Sequence, residues 1–500
     1  MLNEYYKQFK SGTDIRGVAT AGVAGQAVNL TDEVLQKMAD GFALWLAAKV
    51  HKTPDRLKIA VGRDSRISGP HIMALTTARF QAAGAEVLCC GLASTPSMFM
   101  TTVDLGCDGA LQITASHHPY NRNGLKFFTR EGGLEGSDIE AILEFAQNGA
   151  HPAAKDGGSV TEVDYMTDYA AGLREKIKKE VNAADYDHPL RGFHIVVDAG
   201  NGAGGFYADK VLAPLGADTG GSRYLEPDGM FPNHVPNPED ATAMASVCEA
   251  VRESNADLGV IFDTDVDRGG AVDSEGNEIN RNRLVAVAAA IALEGNDGGT
   301  IVTDSITSAG LKAFIEDTLG GQHYRYRRGY KNVIDKALEL NAQGVNCPLA
   351  IETSGHAAMR ENYFLDDGAY LCTKIIIKAA QLRQQGKALS DLTADLKEPL
   401  ESREIRFRIT EKDFRACGER IIAQLTAYAA QQDGWQLADD NREGVRVSFD
   451  KDNGDGWFLL RLSVHDPIMP LNIESDSQGG VEVIYKQLQA FLKTTEGLAL

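Results

Sequence analysis

A serine followed by two histidines and a proline is the most informative stretch of this chain. Residues 113–126 read Ile-Thr-Ala-Ser-His-His-Pro-Tyr-Asn-Arg-Asn-Gly-Leu-Lys, and a mostly apolar run, residues 110–113, precedes Ser116. Pro119 ends any regular element, so the sequence predicts that Ser116 lies on a tight, exposed loop at the end of a strand. A serine in that position can act as a nucleophile or as a covalent carrier when a neighbouring group activates it.

A dense carboxylate cluster, Asp263-Thr-Asp265-Val-Asp267-Arg268, follows a predicted strand further along the chain. In an extended segment alternate side chains point the same way, so these carboxylates would converge and repel unless a cation lies between them. Their oxygens suit Mg²⁺ or Ca²⁺. An EF-hand is excluded, because Arg268 and Ser274 occupy the positions where that loop needs Gly and Glu. The alternative is a solvated acidic turn. A phosphorylatable serine together with a divalent-metal loop suggests phosphoryl transfer.

Three glycine-bounded loops offer further anion sites. Arg16 lies in the segment 12–17, and Arg66 lies in the segment 62–66. The guanidinium fork matches phosphate oxygens, although each arginine could instead form an ion pair with a neighbouring aspartate. The segment 200–205, Gly-Asn-Gly-Ala-Gly-Gly, matches the GxGxxG pattern of dinucleotide-binding turns. We favour the alternative, a tight turn that lets a helix pack on its strand.

A compact polar loop, Glu352-Thr-Ser354-Gly-His356, follows a predicted strand. Its acceptors and small hydroxyls suit a polyol such as a sugar, and an ordinary polar turn is the alternative. Lys331, in the sequence Gly-Tyr-Lys, would add a cationic contact.

Short apolar runs such as Leu258–Phe262 alternate with helical patterns such as residues 30–50, with Thr31 as the N-cap, and residues 308–319. This alternation predicts βαβ units with parallel or mixed sheets. Loops at the carboxyl ends of such strands are where open α/β sheets bind ligands. The region beyond residue 401 has several strands and one closing helix, which suggests a smaller domain. We therefore predict an α/β fold: three similar α/β domains with mixed sheets plus a smaller C-terminal α+β domain, over residues 1–163, 164–280, 281–400 and 401–500.

The composition excludes some partners. A formal net charge of −20 argues against nucleic acid, whose phosphates need a basic surface. A small anionic substrate needs only a local basic cleft and stays possible. The longest apolar stretch, Leu284–Leu293, is too short to span a bilayer, so no membrane association is expected. The seven scattered cysteines form no CxxC pair, and the N-terminus has no signal-peptide pattern. We expect reduced thiols and a cytoplasmic protein.

Together and in this order, these motifs resemble the α-D-phosphohexomutase family, and within it the phosphoglucomutase/phosphomannomutase branch. The resemblance runs from about Gly12 to Glu474. Thr-Ala-Ser-His-His-Pro resembles the family's phosphoserine loop, and Asp-Thr-Asp-Val-Asp-Arg resembles its metal loop. Glu-Thr-Ser-Gly-His resembles its sugar loop, and the block 227–239 resembles a family connector.

The resemblance implies four domains around a central cleft and assigns roles to named residues. Ser116 would carry the phosphoryl group, and one Mg²⁺ per chain would be held by a phosphoserine oxygen and the three aspartates. Arg16, His117 and Lys126 match residues around the phosphoserine. Arg268 and Lys331 match cleft contacts, and Glu352 and Ser354 match residues that hold sugar hydroxyls. His356 matches a candidate for proton transfer, which leaves Lys126 and His356 as alternative general bases.

The chain departs from the family pattern at two loops. Ile351 and Thr353 stand where the sugar loop usually has Gly and Met. The phosphate loop of the fourth domain usually reads Arg-x-Ser-Gly-Thr-Glu-Pro. Here Arg461-Leu-Ser463-Val-His465-Asp-Pro keeps the arginine, serine and proline and lacks the glycine and threonine. We expect Arg461, Ser463 and His465 to contact substrate phosphate.

These expectations describe a mutase that interconverts hexose 1-phosphate and hexose 6-phosphate, of glucose and/or mannose, through a phosphoserine enzyme and a hexose 1,6-bisphosphate intermediate. Its partner is a small-molecule phosphosugar, and the protein is expected to be a monomer or homodimer. Three alternatives stay open: a phosphoglucosamine mutase, a metal-dependent sugar phosphatase, and a sugar-phosphate sensor without turnover.

Overall fold

The computed structural model describes residues 1–463 and 466–499. The chain forms two compact units. The first comprises residues 1–280, 354–356 and 365–389, and the second comprises residues 281–353, 357–364 and 390–500.

A mixed eight-stranded sheet begins the first unit, with strand order β1-β2-β6-β5-β3-β4-β8 and β7 paired to β6. β3, β4, β5 and β8 are parallel, and β2 and β6 are antiparallel to their neighbours. Its strands are β1 (Lys10–Ser11), β2 (Asp14–Val18), β3 (Lys58–Arg63), β4 (Glu86–Leu92), β5 (Gly109–Ile113), β6 (Arg122–Thr129), β7 (Gly132–Gly133) and β8 (Ser159–Glu162). The helices in this region are α1 (Glu4–Lys7), α2 (Asp32–Lys49), α3 (Gly69–Ala82), α4 (Thr95–Asp104), α5 (Gly136–Gln147) and α6 (Tyr165–Val181).

The core of this region forms between the sheet and the amphipathic helix α2. Thr31 begins the helix as predicted, because its hydroxyl accepts the backbone N–H of Val34. Phe42 on α2 stacks on Phe127 of β6, with ring centroids 4.5 Å apart. Leu35 and Met38 are also fully buried in this cluster. The helix therefore fixes β6, the strand that follows the serine loop.

A four-stranded sheet of order β12-β11-β10-β9 completes the first unit. β9 and β10 are parallel, and β11 runs antiparallel to β10. Its elements are β9 (Ile195–Asp198), α7 (Ala241–Ser254), β10 (Leu258–Phe262), β11 (Gly269–Val272) and β12 (Glu278–Ile279). A π-helical turn, Tyr207–Leu212, follows the glycine-rich segment.

The second unit contains a four-stranded sheet of order β14-β13-β15-β16, in which only β16 is antiparallel. The elements of this part of the chain are α8 (Arg281–Leu293), β13 (Thr300–Thr303), α9 (Ala309–Ala313), β14 (Gln322–Arg325), α10 (Tyr330–Ala342), β15 (Leu349–Ile351), β16 (Ala357–Met359) and α11 (Gly368–Gln384). Helix α11 belongs to the first unit, where Lys374 pairs with Glu180 of α6.

The remaining sheet is antiparallel, with order β18-β19-β20-β21-β17-β22. Its elements are β17 (Glu401–Ile409), α12 (Phe414–Ala429), β18 (Gln436–Leu437), β19 (Val445–Phe449), β20 (Gly456–Leu460), β21 (Ile468–Ser475), α13 (Gly480–Leu492) and β22 (Leu498–Ala499). One face packs on α12 and α13. On β19, Arg446 donates to the backbone carbonyls of Ser305 and Thr307 at 3.0 Å, so this sheet is joined to the loop that follows β13.

The predicted fold class is confirmed: three α/β domains with mixed sheets precede a sheet-rich C-terminal domain. The predicted strand Leu258–Phe262 matches the structure, and the helix predicted at residues 308–319 is an α-helical turn that continues as a π-helix, Phe314–Thr318. All seven cysteines are unpaired, and six of them are buried. None of the helices in the described part of the chain is both long and apolar enough to cross a bilayer.

Candidate active site

Three aspartates gather directly after the buried strand β10. One carboxylate oxygen each of Asp263, Asp265 and Asp267 lies within 4.8 Å of the others, and all three side chains are buried. The expectation of an extended segment was wrong, because residues 263–267 form a turn in which Val266 takes a left-handed φ of 68°. The carboxylates converge as expected, but a turn brings them together instead of the alternation of side chains along a strand.

The electrostatics of this cluster favour a bound cation. Burial and the neighbouring carboxylates raise the pKa of Asp263 and of Asp265 above the ordinary value. Burial acts in the same direction on Asp267, but Lys126, His356 and Arg268 outweigh it and hold the pKa of that carboxyl below its usual range. The cluster therefore lacks enough positive charge for three ionised carboxylates.

Two buried oxygens show where a cation would fit. Asp265 Oδ1 and Asp267 Oδ1 have no hydrogen-bond partner within residues 1–463 and 466–499. The second oxygen of Asp265 accepts a 2.5 Å hydrogen bond from Thr95, which orients the carboxylate. Buried acceptors without donors are rare in folded proteins, and an all-carboxylate donor set suits a hard divalent ion. The residues present fit Mg²⁺.

The glycine-rich segment 200–205 supports the metal loop by close packing. A Cβ on Gly202 would lie 2.6 Å from the backbone oxygen of Thr264, so only glycine fits there. The N–H of Ala203 donates to the same oxygen at 2.8 Å. The turn thus packs against residues 263–267, a contact that the sequence did not predict.

Ser116 lies at the aspartate cluster. Its hydroxyl donates to Asp263 Oδ2 at 2.9 Å. The backbone at Ser116 has a left-handed φ of 48°, which turns the chain sharply after β5. The side chain is not on an exposed loop as predicted, since the residue is only 4% exposed. The metal loop covers it, a long-range contact that the local sequence does not show.

Arg66 holds the backbone of residues 116–122, the serine loop, in place. The guanidinium donates to four backbone carbonyls of the loop, those of Ser116, His118 (2.6 Å), Pro119 (2.8 Å) and Arg122 (2.9 Å). Its Nε lies 3.3 Å from Asp64 Oδ2. Of the two interpretations of this arginine, the contacts match the ion pair with its neighbouring aspartate, and the remaining donors hold backbone.

Asp64 extends this support to the serine itself. Burial raises the pKa of Asp64 to about 6, although Arg66 opposes the shift. The carboxylate accepts the hydroxyl of Thr114 at 2.7 Å, and that hydroxyl accepts the N–H of Ser116 at 2.9 Å. Asp64 and Thr114 were missed in the sequence, because nothing in the motif distinguishes a supporting residue from a reacting one.

Two histidines follow the serine in a basic environment. His117 Nδ1 lies 3.3 Å from Ser116 Oγ. Burial, together with the nearby charges of Arg268 and Arg16, lowers the pKa of His117 to about 2. Burial and Arg16 lower the pKa of His118 to about 3. Both rings are therefore neutral at physiological pH. Arg16 itself pairs with Asp14 at 2.9 Å.

Lys126, Arg268 and His356 complete the cluster in the first unit. Lys126 Nζ donates to Asp267 Oδ2 at 2.8 Å. Arg268 donates from Nε to His356 Nε2 at 2.9 Å. The other ring nitrogen of His356, Nδ1, lies 2.5 Å from Asp366, a buried carboxylate that no sequence motif pointed to.

The remaining predicted residues are divided between the units. Ser354 is buried and belongs to the first unit with His356. In the second unit, Glu352 accepts the N–H of Gly329 at 2.6 Å, and Lys331 pairs with Asp335 at 2.5 Å along α10. Arg461 is buried, and Ser463 accepts the N–H of Asp466 at 3.3 Å. His465 lies outside the described residues.

Comparison with known proteins matches this arrangement to one family. Models of the phosphoglucomutase/phosphomannomutase alpha/beta/alpha domains I, II and III match residues 10–151, 168–276 and 280–399. A phosphomannomutase/phosphoglucomutase of Pseudomonas syringae is 30% identical over 439 residues, covering 87% of each chain. The chain belongs to the phosphoglucomutase/phosphomannomutase family. The family resemblance inferred from the motifs is thereby confirmed.

Other relatives of the family align over nearly the whole chain. A phosphoglucomutase of Neisseria meningitidis is 28% identical over 486 residues, which are 97% of this chain and 96% of the relative. A solved phosphoglucomutase/phosphomannomutase family protein of Burkholderia thailandensis superposes with a TM-score of 0.80 at 25% identity, covering 99% of this chain and 98% of that chain. Membership in this family makes the protein an isomerase of the mutase kind.

Replacing Arg66 tests the support of the serine loop. Arg66→Lys retains the charge beside Asp64 but cannot donate to four separate carbonyls, and each buried acceptor left unsatisfied costs about 1–3 kcal/mol. We expect kcat for mutase turnover to fall by roughly 10–100-fold and Tm to drop by several degrees. Calorimetry and a steady-state assay measure both quantities.

Arg79→Lys is the matched control for Arg66→Lys. Arg79 lies on helix α3 and pairs with Asp40 of helix α2 instead of with the serine loop. This variant should lower Tm slightly and leave kcat unchanged. Wild-type kcat in Arg66→Lys would show that Arg66 does not position the serine.

The carboxylate cluster predicts that the effect of Asp265→Asn on thermal stability reverses when a divalent cation is added. Without a divalent ion, Asp265→Asn relieves repulsion among buried carboxylates and should raise Tm above that of the wild type. With Mg²⁺ at about 100 times its Kd, the wild type should gain about 2.7 kcal/mol of stability and the variant far less. Calorimetry with EDTA and with Mg²⁺ measures both effects.

Asp273→Asn, in the turn after β11, serves as the control and should respond to Mg²⁺ like the wild type. Equal Mg²⁺ responses of the wild type and Asp265→Asn would contradict a cation site at this cluster.

Proposed function

We propose that this mutase interconverts the 1-phosphate and the 6-phosphate of glucose and/or mannose, with Ser116 as the phosphoryl carrier. One observation carries the proposal: the hydroxyl of Ser116 lies 2.9 Å from Asp263, inside a cluster of three carboxylates that has too little positive charge around it. A carrier oxygen beside a cation site is the arrangement that phosphoryl transfer needs, because its transition state requires positioning and charge stabilisation more than covalent chemistry.

The proposed cycle begins with phosphorylated Ser116. A free hydroxyl of the hexose phosphate attacks the phosphorus atom, the bond from phosphorus to Ser116 Oγ breaks, and the hexose 1,6-bisphosphate forms. A general base, Lys126 or His356, takes the hydroxyl proton. The bisphosphate then reorients in the active site, and its other phosphate is transferred to Ser116 by the reverse step. No net phosphate is consumed.

Residues of the chain supply the electrostatics of transfer. Asp263, Asp265 and Asp267, with an oxygen of phosphorylated Ser116, would hold one Mg²⁺. When bound, this ion neutralises charge on the transferring group. The Nη2 of Arg268 lies 3.1 Å from Nδ1 of His117, the residue next to Ser116, so the positive charge of this guanidinium would lie close to the transferring group. Burial of Ser116 limits access of water, which would otherwise hydrolyse the phosphoserine.

Further residues are assigned to the sugar and to the distal phosphate. We propose that Glu352 and Ser354 hold sugar hydroxyls and that Lys331, Arg461, Ser463 and His465 contact phosphate. Four domains with boundaries near residues 163, 280 and 400, a cytoplasmic location and a monomer or homodimer complete the proposal.

Removing the hydroxyl of Ser116 tests the carrier role. Ser116→Ala should lower kcat on glucose 1-phosphate, primed with glucose 1,6-bisphosphate, on the order of 10⁴-fold or more, because no other oxygen can accept the phosphoryl group. Ser97→Ala, a buried serine of helix α4, should keep wild-type activity. Undiminished turnover in Ser116→Ala would refute the assignment.

The same assay separates the proposed substrates and the phosphatase alternative. Wild-type protein should convert glucose 1-phosphate and mannose 1-phosphate to the 6-phosphates faster than it converts glucosamine 1-phosphate. Release of free phosphate without 6-phosphate product would identify a phosphatase, and a faster rate on glucosamine 1-phosphate would assign the protein to that substrate.

A further inference from the structure

Asp366 is a buried carboxylate at the entry to helix α11, outside every motif of the sequence. It is 7% exposed, and its Oδ2 lies 2.5 Å from Nδ1 of His356. Burial in the protein interior normally requires that a carboxylate have a specific partner. Here the partner is a histidine of the active site, so the role of Asp366 depends on what that ring does.

The hydrogen bonds of His356 define which nitrogen carries its proton. Arg268 Nε–H can only donate, and it donates to His356 Nε2 at 2.9 Å. Nε2 must therefore present its lone pair, which places the ring proton on Nδ1, facing Asp366. Asp366 accepts a hydrogen bond from Nδ1–H of His356. It so stabilises the one neutral tautomer whose Nε2 can accept a hydrogen bond from Arg268.

Arg268 transmits this arrangement toward Ser116. Its Nη2 lies 3.1 Å from His117 Nδ1, and its Nη1 donates to Asn237 at 3.3 Å. His117 in turn lies against Ser116 Oγ. The guanidinium is thus held by one ring on its Nε side and by another ring next to the phosphoryl carrier.

His356 also separates two buried carboxylates. Its Nδ1 lies 3.9 Å from Asp267 Oδ1, compared with 2.5 Å to Asp366. Without an acceptor at position 366, Asp267 would be the nearest carboxylate to the Nδ1 proton. Asp366 therefore keeps Nδ1–H of His356 from donating to Asp267, a carboxylate of the cation cluster.

We propose that Asp366 is a positioning residue for phosphoryl transfer, acting through His356 to hold the guanidinium of Arg268 beside Ser116. The inference rests on the proposed function for its catalytic consequence. Both nitrogens of His356 are engaged in this arrangement, one as donor to Asp366 and one as acceptor from Arg268.

The tautomer can be measured in the wild-type protein without any substitution. In protein labelled with ¹⁵N-histidine, two-bond ¹⁵N–¹H correlations should show His356 protonated at Nδ1 and unprotonated at Nε2, with the signal assigned by its loss in His356→Gln. Protonation at Nε2 would overturn the proposal. This measurement does not depend on turnover, so it is independent of the proposed function, which fails separately if the wild type shows no mutase activity.

Double mutants test whether Asp366 acts through the ring. Asp366→Asn places an amide donor beside Nδ1, and we expect kcat to fall about 10–100-fold while KM changes less than about threefold. In a His356→Gln background, Asp366→Asn should cause almost no further loss, because the path to Arg268 is already broken. Unchanged kcat, or losses that multiply independently, would overturn the proposal.

Asp367→Asn is the matched control one residue along. Asp367 accepts the N–H of Tyr370 at the start of helix α11 and the hydroxyl of Tyr169, so its role is structural. This variant should lower Tm, retain the wild-type tautomer of His356 and leave kcat nearly unchanged. If Asp366→Asn does not fold, Asp366→Glu, which keeps the acceptor, should restore folding and most of kcat, and a folded Asp366→Glu with the Nε2-protonated tautomer and wild-type kcat would contradict the inference.

Discussion

The concentration of negative charge at Asp263, Asp265 and Asp267 is the constraint that organises this active site. Three buried carboxylates within 4.8 Å of one another cannot all ionise without positive charge close by. Lys126 on β6 and Arg268, directly after the cluster, supply part of that charge, and both lower the pKa of Asp267. The deficit that remains favours a divalent ion. In the proposed mechanism this deficit serves the reaction, because a cation held there would lie next to Ser116 Oγ, where phosphoryl charge must be stabilised.

A second constraint is the backbone of Ser116, a non-glycine residue that is held in the left-handed conformation. A serine with positive φ is strained, and such strain persists only where the surroundings fix the backbone. Arg66 does so by binding four carbonyls of the loop, and Asp64 does so through Thr114 and the N–H of Ser116. Burying a charged side chain costs less free energy when the charge is paired and hydrogen-bonded. Arg66 and Asp64 are both buried and form such an ion pair.

The sequence predicted the parts of this site that lie within single motifs. The strand before the aspartates, the helix begun by Thr31 and the fold class follow from periodicity and from turn residues, which act over a few positions. Contacts between distant segments were not predictable in the same way. Ser116 looked exposed because its cover, residues 263–267, comes from another sheet. Arg66 looked like a phosphate ligand because its acceptors are backbone atoms of another loop. Asp366 carries no motif and is recognisable only once His356 is placed beside it.

The departures from the family's sugar loop have a local explanation in the second unit. Ile351 is a buried residue of β15 that pairs with Thr303 on one side and Ala357 on the other, so the strand extends to the position where glycine is usual. Thr353 uses its hydroxyl to donate to Asp304 Oδ2 at 2.7 Å. Burial raises the pKa of Asp304 to about 7, so this carboxylate needs such a donor. Where the family usually has methionine, this chain therefore has a hydroxyl that is hydrogen-bonded to a buried acid. Because Thr353 lies between Glu352 and Ser354, that bond restrains the two residues proposed to hold the sugar.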